Sequence, residues 1–210
     1  NMLSVKPKSW VIGNWKMNPD LQTARQLTTD LIQLHSTHQA HSHCEVVLAP
    51  TMLHILAVQE HLKAINTSIS LAAQDVSRFA GAGAYTGDVS ADMLLDAGVQ
   101  YVLVGHSERR CFYAEAGEVL RQKIQVSVAA GLTVVFCVGE TLQEREAGDA
   151  EKVVLAQLAE VFDCISVAEW AAQVLVAYEP VWAIGTGKTA SPQDAEAMHQ
   201  AIRQGLKLWD

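Results

Sequence analysis

Tyr178-Glu179-Pro180-Val181-Trp182-Ala183-Ile184-Gly185-Thr186-Gly187-Lys188-Thr189-Ala190 is the stretch on which the fold reading turns. It follows Val174-Leu175-Val176-Ala177, an apolar run that reads as a buried parallel strand. It precedes Ser191-Pro192-Gln193-Asp194, a helix start with Ser as cap, Pro in the first turn and an acid three residues after the cap. Glu179 is thereby placed at the C-terminal end of a strand, where α/β proteins carry their chemistry. Pro180 stiffens one end of the following loop, and Gly185 and Gly187 loosen its middle. Such a segment suits a lid that closes over a ligand; the plainer reading is an ordinary connection with a solvated Glu.

Working outward, the same unit recurs. Trp10–Gly13 reads as a strand ending in Asn14-Trp15-Lys16-Met17-Asn18, and a helix follows with Leu21, Ala24, Leu27, Leu31 and Leu34 at helical spacing. Val46–Ala49 is a second strand and Met52–Ala64 a helix; Ile69–Ala73 is a third, followed by a Gly-rich loop over Phe79–Asp88. Ser90 caps a short helix ending at Gly98. Tyr101–Val104 leads into Gly105-His106-Ser107-Glu108-Arg109-Arg110 and one helix reaching Ala130. Thr133–Val138 is the fifth strand, and Thr141–Glu144 has the form of a capping box opening a long helix.

Six strand–helix units without a linker predict one α/β domain over residues 1–210. Strands this uniformly apolar call for a parallel sheet covered on both faces or rolled into a barrel. The polar interruptions fall at strand C-termini: Asn14, Lys16, Gln74, His106, Glu108, Glu140 and Glu179. A (β/α) barrel would gather several of these into one pocket.

With 210 residues, half of them apolar, the chain has ample material for a core. A net charge of −8 argues against nucleic acid or an anionic membrane as partner. Cys44, Cys111, Cys137 and Cys164 are widely spaced, which fits a reducing compartment better than a disulfide framework. No apolar run approaches 18 residues and no leader opens the chain, so a soluble cytoplasmic protein is expected.

Several residues offer chemistry. Glu179 could act as a general base, more effectively if a lid desolvated it. His106 could polarise a carbonyl or shuttle a proton, although a lone His beside a strand is more often structural. Lys16 could neutralise an oxyanion or a phosphate, against the ordinary reading of a solvated Lys. Asn14 could hold Lys16 or donate to a ligand; otherwise it is a turn residue. Glu108 could pair with Lys16 or Arg109, or simply favour a helix start. Their joint placement carries the argument. Gly187-Lys188-Thr189 imitates the end of a phosphate-binding P-loop, but the glycine that motif needs five residues earlier is Trp182. A nucleotide binder is therefore a remote alternative. His35, His38, His41 and His43 read as a solvated polar stretch, with no metal site implied.

Gly13–Asn18, Gly83–Gly87, Val104–Arg110, Cys137–Glu140 and Ala177–Lys188 together resemble, in order, the triosephosphate isomerase family, from Trp10 to the chain end. The resemblance implies a TIM barrel, of which this chain supplies six βα units. It implies interconversion of dihydroxyacetone phosphate and D-glyceraldehyde 3-phosphate through an enediolate, a step of glycolysis and gluconeogenesis, without cofactor or metal. Glu179 would move the proton, neutral His106 would polarise the carbonyl, and Lys16 and Asn14 would stabilise the oxyanion and position the substrate. Glu108 would support them, and Gly185 would offer its N–H to the phosphate. Tyr85 and Thr86 would lie in a dimer loop, Thr86 beside the partner's Asn14 and Lys16.

Three departures accompany the resemblance. Pro19 stands where the family commonly has Gly, and Gly117 where an acid is usual. The sequence ends at Asp210, within the sixth helix, without the family's seventh and eighth strands and their phosphate-binding loops. Three accounts of that ending are open: further sequence exists in the molecule, a second chain supplies the remainder, or a short form self-associates as an inactive scaffold. The first predicts an intact mass above that of 210 residues by several kilodaltons.

Overall fold

A computed structural model describes residues 8–37 and 44–209. Of the four clustered histidines, His38, His41 and His43 lie outside these; His35 pairs through Nε2 with Ser68 Oγ at 3.0 Å. The described residues divide into two compact units, one holding those up to 77 together with 81–102, the other 78–80 and those from 103 onward.

The first unit holds β1 (Ser9–Asn14), α1 (Leu21–Thr37), β2 (Cys44–Ala49), α2 (Ile55–Ile65), β3 (Ser70–Ala73), α3 (Ala91–Asp96) and the start of β4 (Tyr101–Val104). Its strands are all parallel, β1 on β2, β2 on β3 and β3 on β4, with Asn14 opposite Ala49 at the end of the first ladder. Val47, Leu71, Ala72 and Val102 are almost wholly buried. That is what an apolar strand accomplishes when both faces are covered; β1 departs from it, with no fully buried residue and Val11 59% exposed.

The helix α1 corrects the expected stripe. Leu21, Leu27 and Leu34 are exposed, and the buried face is Ala24, Thr28 and Ile32. Thr28 tolerates burial because its hydroxyl donates to the Ala24 carbonyl at 2.7 Å. In α3, Ser90 caps as expected, its Oγ accepting from the Met93 N–H.

The second unit holds the end of β4, α4 (Ser107–Tyr113), α5 (Gly117–Ala130), β5 (Thr133–Val138), α6 (Leu142–Glu146), α7 (Ala150–Phe162), α8 (Val167–Gln173), β6 (Val174–Tyr178) and α9 (Pro192–Leu208). Here β5 pairs with β6 in parallel from Val134–Val174 to Val138–Tyr178, but β6 is only half-buried throughout, not the buried strand that its apolar run predicts. The single helix expected up to Ala130 is two, because Ala114 ends α4 in the left-handed region at φ 52°. The capping box of Thr141 and Glu144 is present but opens only the short α6; the long helix, α7, starts after Gly148. A second capping box, Ser166 with Glu169, starts α8. The box at Ser191 and Asp194 opens α9 as the sequence predicts, with Pro192 in its first turn. Lys188 and Thr189 precede that helix, which removes the P-loop imitation.

Trp170 of α8 locks this core. Its ring meets Phe136 edge-on at 6.4 Å and stacks on Phe162 at 5.4 Å, while its Nε1–H donates to the Phe162 carbonyl at 2.6 Å.

Candidate active site

In the first unit, the end of β1 presents Asn14 and Lys16 together. Lys16 holds φ 54°, a left-handed conformation that a side chain disfavours and that something must maintain. Two contacts do so. Its N–H donates to Asn14 Oδ1 at 2.9 Å, and its carbonyl accepts from Gln74 Nε2 at 2.9 Å. The same Gln74 nitrogen donates to the Ala49 carbonyl at 2.9 Å, so one amide ties the ends of β2 and β3 to the Lys16 turn. Asn14 thus meets Lys16 through the Lys16 backbone N–H.

Tyr85 and Thr86 lie exposed in this unit. Their loop is closed by Ser77, whose Oγ donates to Asp88 Oδ2 at 2.6 Å and whose N–H donates to the Val89 carbonyl at 2.8 Å.

The second unit brings His106, Glu108 and Glu179 together. His106 follows β4 and is 7% exposed, so its ring nitrogens need partners. Nδ1 accepts from the Glu108 N–H at 3.2 Å, and the Glu108 carboxylate lies 3.6 Å from the same nitrogen. An Nδ1 that accepts carries no proton. The ring is then the neutral Nε2–H tautomer, and Nε2 meets Glu179 Oε1 at 3.1 Å. Glu179 Oε2 accepts from the Ser107 N–H at 3.3 Å.

The supporting contacts reach the ends of β4 and β5 from α4. Arg110 donates through Nε to the Gly105 carbonyl at 2.7 Å and through Nη2 to the Cys137 carbonyl at 3.0 Å. Burial lowers its pKa, opposed by surrounding acidic groups. Cys137 is buried, and burial, followed by the neighbouring Glu179 charge, holds its thiol well above the ordinary range. A cavity of about 290 Å³ opens beside Glu179, lined also by Ser107, Cys111, Gly139, Gln157 and Val181.

Glu140 is wholly buried, yet it anchors the loop rather than facing that cavity. Its Oε1 accepts from Tyr178 Oη at 2.7 Å, Trp182 Nε1 at 2.9 Å and Arg145 Nη1 at 3.2 Å. Arg145 also stacks over the Trp182 ring at 4.5 Å and donates to Asp194 Oδ1 at 2.6 Å. Burial and then the bond to Glu140 raise the Tyr178 pKa. The start of the loop is therefore fixed. Its centre is exposed over residues 185–188, with Gly185 at φ 67°, and is tied back by the Thr186 hydroxyl, which donates to the Trp182 carbonyl and accepts from the Lys188 N–H at 3.2 Å.

Arg109 donates through Nε to Glu115 Oε1 at 2.8 Å. Among the described residues no group of His, Cys, Asp and Glu could hold a metal ion, and no helix is long and apolar enough to cross a membrane. Gln157 and Arg145 play parts the sequence did not single out. Both are helix residues at unremarkable spacing, and their importance lies in backbone and loop groups far along the chain.

Residues 9–209 match the family model for triosephosphate isomerase. The chain is 50% identical over 198 residues to the triosephosphate isomerase of Acinetobacter baumannii (strain AYE), covering 94% of this chain and 75% of that protein. It is 47% identical over 191 residues to the protein of that name from Rhizobium etli, 90% of this chain and 84% of the relative. The Bacteroides fragilis counterpart is 43% identical over 199 residues, 95% and 76% respectively.

Proposed function

The chain belongs to the triosephosphate isomerase family, with the family's TIM-barrel fold represented by six βα units, and on that premise we propose that it interconverts dihydroxyacetone phosphate and D-glyceraldehyde 3-phosphate through an enediolate. The observation that carries the reading is the contact of Glu179 Oε1 with His106 Nε2 at 3.1 Å, with Nδ1 already taken by the Glu108 N–H. A carboxylate that can accept a proton stands beside an imidazole that can donate one.

Glu179 takes the proton from the carbon next to the carbonyl; the C–H pair becomes the C=C bond and the carbonyl pair moves onto oxygen. His106 Nε2–H stabilises that oxygen, and its neutral form is suited to a strong hydrogen bond without holding the substrate as a tight ion pair. A proton passes from the neighbouring hydroxyl to that oxygen by way of His106, and as the protonated Glu179 returns its proton to the former carbonyl carbon, the C=C pair forms that C–H bond and the deprotonated hydroxyl oxygen's pair closes the new carbonyl. Lys16 supplies positive charge to the oxyanion, and Asn14 holds Lys16 in its strained turn and binds substrate. Glu108 keeps the ring oriented. Closure of the loop brings the Gly185 N–H to the phosphate and excludes water, which protects the enediolate from losing phosphate.

We read residues 1–210 as belonging to one barrel domain and the protein as a homodimer, with the exposed Tyr85 and Thr86 contributing to the partner contact. The same reading needs no cofactor, metal, nucleic acid or membrane, and places the reaction in the cytoplasm. The test is a coupled assay on the purified protein, with a dehydrogenase consuming the product. Turnover supports the isomerase. A folded protein without turnover that sediments as a larger assembly returns the scaffold reading.

A further inference from the structure

We infer that Gln157 of α7 is a positioning residue for Glu179, acting through the backbone of Gly139; the inference rests on Glu179 being the base. The side-chain amide of Gln157 makes two bonds to a single residue. Its Oε1 accepts from the Gly139 N–H at 2.8 Å, and its Nε2 donates to the Gly139 carbonyl at 3.2 Å. Gly139 lies one residue past β5, where the main-chain ladder has ended. Gln157 satisfies both backbone groups there and fixes the orientation of the flanking peptides.

The other side of Gly139 is occupied by the base's own backbone. A Cβ at residue 139 would stand 1.7 Å from the Glu179 carbonyl oxygen and 2.8 Å from its carbonyl carbon, separations no side chain survives. The Glu179 N–H donates to the Val138 carbonyl at 2.7 Å. Residues 138 and 139 therefore form the seat against which the Glu179 main chain rests, and Gln157 holds the seat. Gln157 and Glu179 also line the same cavity.

The geometry of the base is demanding. Its two oxygens divide between His106 Nε2 and the Ser107 N–H, and misplacement by about 1 Å can cost on the order of 10²-fold in rate. A seat free to rotate would change where the carboxylate points while leaving substrate affinity largely alone.

The test compares Q157M, which keeps the volume and removes both bonds, with Q157E, which keeps the acceptor and removes the donor. The expected result is a fall of roughly tenfold or more in kcat for Q157M with KM within about twofold, since the loss concerns orientation. Q157E should lose less, and its activity relative to wild type should rise as the pH falls, because protonation of the introduced carboxyl restores a donor for the Gly139 carbonyl. A purely packing role would move thermal stability without that kcat-against-KM split or that pH-dependent recovery. Wild-type kcat in both variants, or a loss confined to KM, overturns the inference. Glu179→Gln, measured alongside, separates the two levels. Its collapse beside an unaffected Q157M removes Gln157 alone; wild-type turnover in Glu179→Gln removes the base and the inference with it. Should Q157M fail to fold, the Q157E pH profile decides.

Discussion

The Glu108 N–H donates to Nδ1 of His106 from 3.2 Å, so the local backbone decides which ring nitrogen holds the proton. Nε2 is left as the donor, aimed at Glu179. At neutral pH the ¹⁵N spectrum of His106 should show an unprotonated Nδ1 and a protonated Nε2. A doubly protonated ring would contradict the mechanism. Replacing the ring by Ala should lower kcat by about 10² or more, the usual consequence of losing one donor to a developing oxyanion.

Glu179 touches His106 and Ser107, and its backbone packs on Gly139. Glu179→Gln keeps the shape and removes the base. Turnover should fall by at least ~10³, within the range that a positioned proton acceptor supplies, while sedimentation shows the same oligomer as wild type. Activity close to wild type would take Glu179 out of the reaction.

The thiols differ by environment. Cys111 is exposed on α4, whereas Cys137 is buried with its pKa held well above the ordinary range, and burial pushes Cys164 up to about 11. The thiolate is the reactive form. At pH 8 a maleimide should therefore label Cys111 first, and Cys137 and Cys164 only once denaturant opens the core. Mass spectrometry of the labelled peptides reads the order directly.

The strands are legible because each is a short, nearly uninterrupted apolar run, and the candidate acids and bases stand out as polar residues at the ends of those runs. The helices are less so. Counting apolar residues in α1 picked Leu21, Leu27 and Leu34, which are exposed, because the count could not see that Thr28 satisfies its own hydroxyl on the Ala24 carbonyl. The break between α4 and α5 turns on one left-handed residue, Ala114, a type that gives no warning of that conformation. Glu140 shared the strand-end position of the reactive residues, yet three donors on one oxygen make it an anchor for the loop. Spacing identifies where a residue stands on its element; it does not identify the side chains that arrive from other elements.

Arg109 and Lys123 both donate to Glu115 Oε1, at 2.8 Å and 2.7 Å, and Glu115 and Lys123 are 8% and 5% exposed. Burial alone would raise the Glu115 pKa, but the two hydrogen bonds and the charges behind them outweigh it, and the net shift is downward. A carboxyl whose folded pKa lies below its unfolded one contributes stability that is present above the unfolded value and is lost as the pH falls through the folded value. Acid unfolding should therefore include a contribution from Glu115 below about pH 4.5, near its unperturbed value. In Glu115→Gln this contribution should vanish, giving a shallower dependence of stability on pH in the acid range. Glu115→Ala should be worse at neutral pH, by about 3–5 kcal/mol, because it leaves the Lys123 ammonium buried without its carboxylate. Adding Lys123→Met to Glu115→Ala removes the buried ammonium together with its lost carboxylate and should return part of that loss. Urea titrations of the three variants at pH 7 and pH 4 measure both effects, and equal stability of Glu115→Ala and wild type at pH 7 would show that the buried pair contributes nothing.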